Sequence, residues 1–313
     1  MNAPQVSVVI VSFGTRDLTL AALESVRQAG ETIRLEAIVV DNNSPDDSAK
    51  AIAREHPWAH LLRSAENRGF AAGANLGARA ATGEWLVFLN SDARISREAL
   101  VSLLDIAGTL PTPGAIGPWI EDSNGKPQPS VGHFYSIWRD FVRSFYLDRL
   151  FNTPRFEGLF IRPHRGQPRP VDWVSGACLL IRRSTFDQVE GFDEAYFLYV
   201  EDMDLCFRLV RAGWVNYYVP QVSVLHELGK SSRRDRPLPL EGGNAPEYFL
   251  RKFRPYYPVG LQRIFRAVGL LIWMVVLQYR INMYRILGRD PDEARRYVGV
   301  CRVTLVSLFR SSQ

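Results

Sequence analysis

The sequence predicts an α/β fold: a mostly parallel sheet with helices on both faces, followed by a helical carboxy-terminal region. Three observations carry that expectation. Short apolar, β-branched runs recur through the first two thirds, each followed by a segment with helical spacing. Several of those runs stop at small polar or acidic residues, as strands do whose carboxyl ends open on a ligand crevice. From Tyr248 to Leu287 the pattern becomes mostly helical, with arginines frequent.

Residues 6–13 (VSVVIVSF) are nearly unbroken β-branched residues, the pattern of a central parallel strand covered on both faces. Gly14 interrupts it, Thr15 can cap a helix over 16–29, and Gly30 ends that helix. Residues 35–40 (LEAIVV) form a second strand ending at Asp41. Ser44, Pro45, Asp46 and Asp47 then read as a helix start: a cap, a proline in the first turn and acids on the positive end. A short strand follows at 60–63. Residues 67–83 (NRGFAAGANLGARAATG) carry glycines at 69, 73 and 77 within helical spacing. Each costs about 1 kcal/mol against alanine, so something approaches that backbone closely. Two candidates stand open: the sheet beneath, or a phosphate or ribose at Arg68 and Gly69.

The stretch 85–93 (WLVFLNSDA) organises the rest. Five largely apolar residues make a buried strand, which stops at Asn90, Ser91 and Asp92. A carboxylate there is better placed at the crevice than in the core, and it can hold a divalent cation that holds a diphosphate. Taken alone, Asp92 could equally cap the next helix, which Ser96 begins. Residues 110–170, rich in Pro and turn residues, read as a long excursion with few regular elements. Regularity returns with a strand at 171–182, a helix from Glu201 and Asp202 to about 212, and two strands at 214–219 and 222–225 followed by His226. Residues 230–236 (KSSRRDR) form a basic loop. We place the domain division at 1–235 and 236–313. Within the second part the apolar run 267–277 would be roughly 16 Å long as a helix, about half a bilayer core, so it is expected to lie at an interface or pack on the main domain and not to span.

Composition narrows the classes. Hydrophobic residues at 46% and charged residues at 23% are those of a globular chain, and the formal charge of +5 is concentrated after residue 211, which suits diphosphates or anionic headgroups. No aromatic–basic stripe suggests single-stranded nucleic acid. Three widely spaced cysteines argue against a disulfide framework and a structural zinc site. The first residues read as a strand and not a leader, so a cytoplasmic setting is expected.

A first half ordered strand, helix, strand-Asp, helix, strand, glycine-rich helix, strand-NSD is Rossmann-like. A dinucleotide oxidoreductase would need G-x-G-x-x-G after the first strand, and SFGTRDL has a single glycine. A sugar-phosphate nucleotidylyltransferase fits better through Gly14-Thr15-Arg16, but Ser12 stands where its leading glycine belongs. The run VVIVSFGT, VVDNNSPDDS, NRGFAAGANLGARAATGEWLVFLNSDA and WVSGACLLIRRSTFDQVEGFDEAYFLYVEDMDLCFRLVRAG closely resembles the family 2 glycosyltransferases of the GT-A fold, in particular their rhamnosyltransferase-like branch, over residues 5–230.

The resemblance implies an inverting transfer from a nucleoside-diphosphate sugar, dTDP-rhamnose favoured, to a hydroxyl of a glycan or lipid-linked glycan in bacterial surface polysaccharide synthesis. It implies a divalent cation, Mg2+ or Mn2+; the apolar run 267–277 with its flanking arginines adds the expectation of a setting on the inner face of the cytoplasmic membrane. Asp41 falls on the acid that contacts base or ribose, with Ser12 lining the base pocket. Asp92 falls on the last acid of the D-x-D motif, beside Ser91, and Asn90 replaces the first acid. Asp202 falls on the catalytic base, preceded by Glu201, and His226 on a metal ligand. Trp173, Gly176, Tyr199 and Glu201 are candidates for the acceptor side, and arginines at 233–236 for closing over phosphates. Two other classes remain open: the nucleotidylyltransferase, which would release pyrophosphate, and a non-catalytic nucleotide-sugar binding module.

Overall fold

The computed structural model describes residues 4–31, 33–151, 153–227, 245–286, 290 and 292–310. The loop 230–236, its arginines and the expected boundary near 235 lie outside the described residues. Contacts divide the chain into two compact units, Met1–Phe134 with Phe160–Phe249, and Tyr135–Leu159 with Leu250–Gln313. The second unit therefore draws a segment from the middle of the chain, which a single cut cannot represent.

The first unit is built on one nine-stranded sheet. Its strands are β1 (Val6–Ser12), β2 (Leu35–Asp41), β3 (His60–Arg63), β4 (Trp85–Leu89), β5 (Ala93–Arg94), β6 (Pro113–Glu121), β8 (Arg169–Pro170), β10 (Cys178–Arg182) and β11 (Val215–His226). Their order is β3-β2-β1-β4-β10-β6-β11-β5, with β8 pairing β11. Strands β1 to β4 run parallel, β10 is antiparallel to both β4 and β6, and β11 is parallel to β6. Six strands thus point one way, while β10, β5 and β8 oppose them. A separate ribbon pairs β7 (Val131–Gly132) with β9 (Trp173–Val174).

Alternation along β1 explains the two helical layers. Val6, Val8 and Ile10 belong to a core with Ala22, Leu23 and Val26 of helix α1 (Arg16–Ala29) and Leu100 and Leu103 of α4 (Arg97–Thr109). Val9 and Val11 face the other way, onto helix α3 (Gly69–Ala80). A methyl added at Gly73 would lie 2.8 Å from Val11 Cγ1, and one at Gly77 2.4 Å from Val9 Cγ1. The sheet is what those two glycines admit.

Sequence and structure differ at four places. Helix α2 (Ser48–Glu55) starts later than its proline suggests, because Asp46 accepts the Ser48 and Arg16 amides and holds a turn before the helix. The strand expected at 171–182 is two, β9 and β10, separated by the turn at Ser175–Ala177. The two strands expected at 214–225 are one, β11, whose pairing with β6 shifts register between Val219 and Ser223. Most consequential, the excursion at 110–170 begins with β6, a nine-residue central strand. Four of its residues are glycine or proline, which hid it, and Gly117 is there because Val174 lies 2.8 Å from where its Cβ would be.

The second unit is helical: α5 (Ile137–Ser144), α6 (Leu147–Leu150), and the long helices Val259–Ile286 and Asp292–Arg310. Ser136 caps α5 by accepting the Arg139 amide at 3.2 Å. The two long helices meet at Leu277, Ile281 and Cys301. The apolar run at 267–277 proves to be part of a 28-residue helix, long and apolar enough to cross a membrane by length and composition. Cys178, Cys206 and Cys301 are free and buried, and burial pushes the Cys178 thiol up to about 12.

Candidate active site

Parallel strands deliver the site. Strand order runs outward from β1 to β3 and then returns to β4, so the carboxyl ends of β1, β2 and β4 meet at a switch point where open α/β sheets bind ligands. Ser12 and Asp41 are register partners there. Asp41 is buried; its Oδ2 accepts the Ser44 amide at 3.3 Å and its Oδ1 has no hydrogen-bond partner. A buried carboxylate oxygen without a partner is costly, so a ligand hydroxyl or N–H is what would complete it. The Ser12 hydroxyl, in contrast, is buried between Thr19 Oγ1 (2.9 Å) and Thr15 Oγ1 (3.3 Å). Its side chain holds the first turn together.

Thr15 also donates to Ser91 Oγ at 3.1 Å, which ties that turn to the NSD turn. Asp92 is buried and faces β11: His226 Nε2 lies 3.1 Å from Asp92 Oδ1 and 3.4 Å from Asn90 Nδ2. Strand β5 pairs Ala93 with His226, which is why the two meet. Gln128 fixes the ring. Its Nε2 donates to the His226 carbonyl at 2.7 Å, so its Oε1, 2.8 Å from Nδ1, must accept. Nδ1 therefore carries a hydrogen, and Nε2 is the ring nitrogen that faces the carboxylate. A neutral imidazole nitrogen 3.1 Å from a carboxylate oxygen is a donor pair of the kind that suits a shared divalent ion. Among the described residues no group of three His, Cys, Asp or Glu side chains that could hold a metal ion gathers.

Asp202 sits in the first turn of α8 (Glu201–Arg211) and is half-buried. Its Oδ2 accepts the Gly176 amide at 2.9 Å and its Oδ1 the Met203 amide at 2.8 Å. Burial raises its pKa, and the two amides oppose that only in part. Glu201 is buried, with Oε2 unpartnered. Burial, and then the charge of Asp202, push its carboxyl well above the usual carboxylate range. The approach to this pair is strained: Tyr199 (φ 69°) and Val200 (φ 71°) are consecutive non-glycine residues in the left-handed region, the second β-branched. Such residues cost about 1–3 kcal/mol each and cluster where function demands a geometry.

One turn joins the two acids. Asn90 N donates to Ala177 O at 3.0 Å, and Gly176 N donates to Asp202. The segment 175–177 is therefore bonded on one side to the Asp92 turn and on the other to the Asp202 carboxylate.

The remaining expectations divide. The amino end of α3 is occupied by protein: Arg68 N donates to Asn42 Oδ1 (3.4 Å), Gly69 N to Asn67 Oδ1 (3.0 Å) and Phe70 N to Phe197 O (2.8 Å). The backbone that Gly69 admits is that of Phe197, so these amides form no open phosphate cradle. The Arg68 guanidinium is half-exposed and pairs with Glu194 at 3.0 Å. Trp173 is buried, donates to His133 O and packs on Phe160, as a core residue does. The Glu201 side chain is likewise too buried to meet an acceptor directly, whereas Tyr199 is exposed. Asn42 and Gln128 carried no signal of their own: one is the first of two asparagines after Asp41, the other lies in the proline-rich excursion.

Comparison with known proteins gives the family and the fold. The family model described as Glycosyl transferase family 2 matches residues 7–189, and that described as Glycosyl transferase family group 2 matches 118–284. An N-acetylglucosaminyl-diphospho-decaprenol L-rhamnosyltransferase of Mycobacterium tuberculosis is 36% identical over 215 residues, 63% of this chain and 68% of that one. The rhamnosyltransferase WbbL of Escherichia coli is 27% identical over 229 residues, 71% of this chain and 83% of that one. Among solved structures, a mannosyltransferase from Pyrobaculum calidifontis in complex with GDP-Man and Mn2+ superposes with a TM-score of 0.52 at 17% identity, covering 98% of this chain and 85% of its own. GalNAc-T7 with UDP, GalNAc and Mn2+ gives 0.51 at 17% identity, covering 72% of this chain and 44% of its own. Both are likenesses of fold, and the fold is GT-A.

Proposed function

The chain belongs to glycosyl transferase family 2 and is rhamnosyltransferase-like, and from that premise we propose an inverting, cation-dependent transfer of rhamnose from dTDP-rhamnose to a hydroxyl of a lipid-linked glycan. The setting is the cytoplasmic face of the membrane. Two relatives named as rhamnosyltransferases support the sugar, and one whose name specifies a diphospho-decaprenol acceptor supports the lipid-linked partner. The observation that carries the reading is the 175–177 turn, bonded to both acid-bearing elements.

Roles follow from the geometry. The unpartnered Asp41 oxygen takes a hydrogen bond from the nucleoside. Asp92 and His226 would hold the divalent cation, which when bound would offset the charge on the departing diphosphate. Arg68 and Ser91 lie on the donor side, and Tyr199 is exposed on the acceptor side. Asp202, its two oxygens fixed by backbone amides, accepts the proton of the attacking hydroxyl. The new oxygen–carbon bond forms as the carbon–oxygen bond to phosphate breaks, and the electron pair leaves with the diphosphate. With one base and no protein nucleophile in the scheme, the anomeric carbon inverts.

The test uses the purified chain, Mn2+, a panel of nucleoside-diphosphate sugars and a polyprenyl-diphosphate-linked N-acetylglucosamine. Nucleoside diphosphate release, lost on adding a chelator, with an inverted anomeric proton coupling in the product is expected. Release of pyrophosphate from a nucleoside triphosphate and a sugar phosphate instead would favour the nucleotidylyltransferase. Donor binding with no turnover on any acceptor would favour the binding module.

A further inference from the structure

The helix Val259–Ile286 turns an apolar face outward over most of its length. From Leu261 to Val276 each of its exposed residues is apolar: Leu261, Ile264, Val268, Leu271, Ile272, Val275 and Val276. At 100° per residue these fall on one stripe about 140° wide. The inner face combines apolar contacts, Leu277 and Ile281 among them, with buried polar ones. Gln262 is 1% exposed, and Arg266 reaches Asp140 of α5, itself buried, at 3.4 Å. Gly269 lets the helix press on α5, where a Cβ would lie 2.3 Å from Ser144 O. A helix on an aqueous surface has the opposite arrangement.

Charge identifies what covers the stripe. The second unit contains sixteen Lys and Arg against six Asp and Glu, a formal +10. The first unit, with twenty-two against twenty-seven, is at −5, so the chain's excess of positive charge is confined to the unit that bears the stripe. Arg280, Arg295, Arg296 and Arg302 are exposed on the two long helices. An apolar face within a strongly basic unit is complementary to an anionic lipid surface, where each cation near the headgroups adds about 1 kcal/mol. The inserted segment contributes exposed Trp138, Leu150 and Phe151 to the same unit, and tryptophan favours the headgroup level.

We propose that this second unit, Tyr135–Leu159 together with Leu250–Gln313, is a docking module for an anionic bilayer, with the helix Val259–Ile286 lying in the plane of the headgroups. The helix is long enough to cross, but its other face packs on α5 and on the arginine-bearing helix Asp292–Arg310, whose charges a crossing helix would carry into hydrocarbon. This specifies the membrane surface of the proposed function and rests on that reading only for the acceptor.

The test is flotation of the full chain with vesicles of phosphatidylcholine alone or containing 30% phosphatidylglycerol, a fraction of about one third that gives a strong negative surface potential. Wild type is expected to float with the anionic vesicles at least ~10-fold better than with neutral ones, and to be released by alkaline carbonate. Ile272→Glu with Val275→Glu, both on the exposed stripe, is expected to lower flotation at least ~10-fold while nucleoside diphosphate release with a water-soluble acceptor is unchanged. Equal flotation of wild type and variant overturns the proposal. So does resistance to carbonate, which means a spanning helix, and so does a variant that merely dissociates a dimer of a chain that never floats. Failure of the glycosyltransferase reading would instead remove turnover and leave flotation as it was.

Discussion

Gly69 to alanine is a sharp test of how the backbone is arranged around Asp202. The glycine has φ +84°, and an added Cβ would lie 2.2 Å from Phe197 O, 2.7 Å from its Cα and 2.8 Å from its carbonyl carbon. All three are backbone atoms, so no rotamer change relieves the clash. The left-handed conformation costs an L-residue about 1–2 kcal/mol, and overpacking adds about 1–3 kcal/mol, so a loss of roughly 2–5 kcal/mol is expected. Part of it can be relieved by moving Phe197, two residues before the strained Tyr199–Val200 pair that leads into Asp202. The substitution should therefore lower kcat as well as stability and change the donor KM little. Gly176→Ala is the control. Its Cβ would meet only the Phe70 ring at 3.7 Å and Asp202 Cβ at 3.9 Å, ordinary contacts, so stability should change by less than about 0.5 kcal/mol. Urea melts and steady-state kinetics on both variants decide it. A Gly69→Ala protein as stable and active as wild type would refute the idea that the Phe197 segment is seated against α3.

Three other outcomes are expected. Asp202→Asn should lower kcat at least ~100-fold; since burial raises the Asp202 carboxyl, the wild-type rate should fall on its acid side at a pH above the ordinary carboxylate range, and a limb near 4 would contradict the assignment. Glu201, also raised, favours the fold fully below its unfolded value; that contribution is lost as pH rises toward its folded value, because the unfolded chain ionises first. Glu201→Gln removes the loss, so its melting temperature should gain on wild type from pH 5 to pH 8, and a pH-independent difference would contradict it. Gln128→Leu frees the His226 ring and should weaken Mn2+ binding about 10-fold by calorimetry, with unchanged affinity as the contrary result.

The sheet was legible where hydrophobic period and chain direction agree. Strands β1, β2 and β4 are unbroken apolar runs that end at Ser12, Asp41 and Asn90, so both the fold and the crevice could be read from them. Strand β6 was not, because Gly117 and Pro118 are set by tertiary packing and look like loop residues locally. The strand-end pattern singled out Asp92 and the family resemblance pointed to Asp202 and His226, but neither gave their connections. These run through backbone amides of Gly176 and Met203 and through Gln128, ninety-eight positions from His226. The glycines of α3 show the limit of spacing: the same residue type admits a strand at 73 and 77 and a loop at 69, which only coordinates separate. The helix Val259–Ile286 reads as amphipathic in sequence, but which face turns outward depends on Asp140, far off in the chain.

The central claim is that Asp92 grips the donor through a cation while Asp202 only takes a proton. Calorimetric titration of dTDP-rhamnose with Mn2+ into Asp92→Asn and Asp202→Asn, side by side, tests it most directly. The account predicts donor binding near wild type for Asp202→Asn and at least ~10-fold weaker binding for Asp92→Asn. Intact binding in Asp92→Asn, with loss in Asp202→Asn, would contradict it.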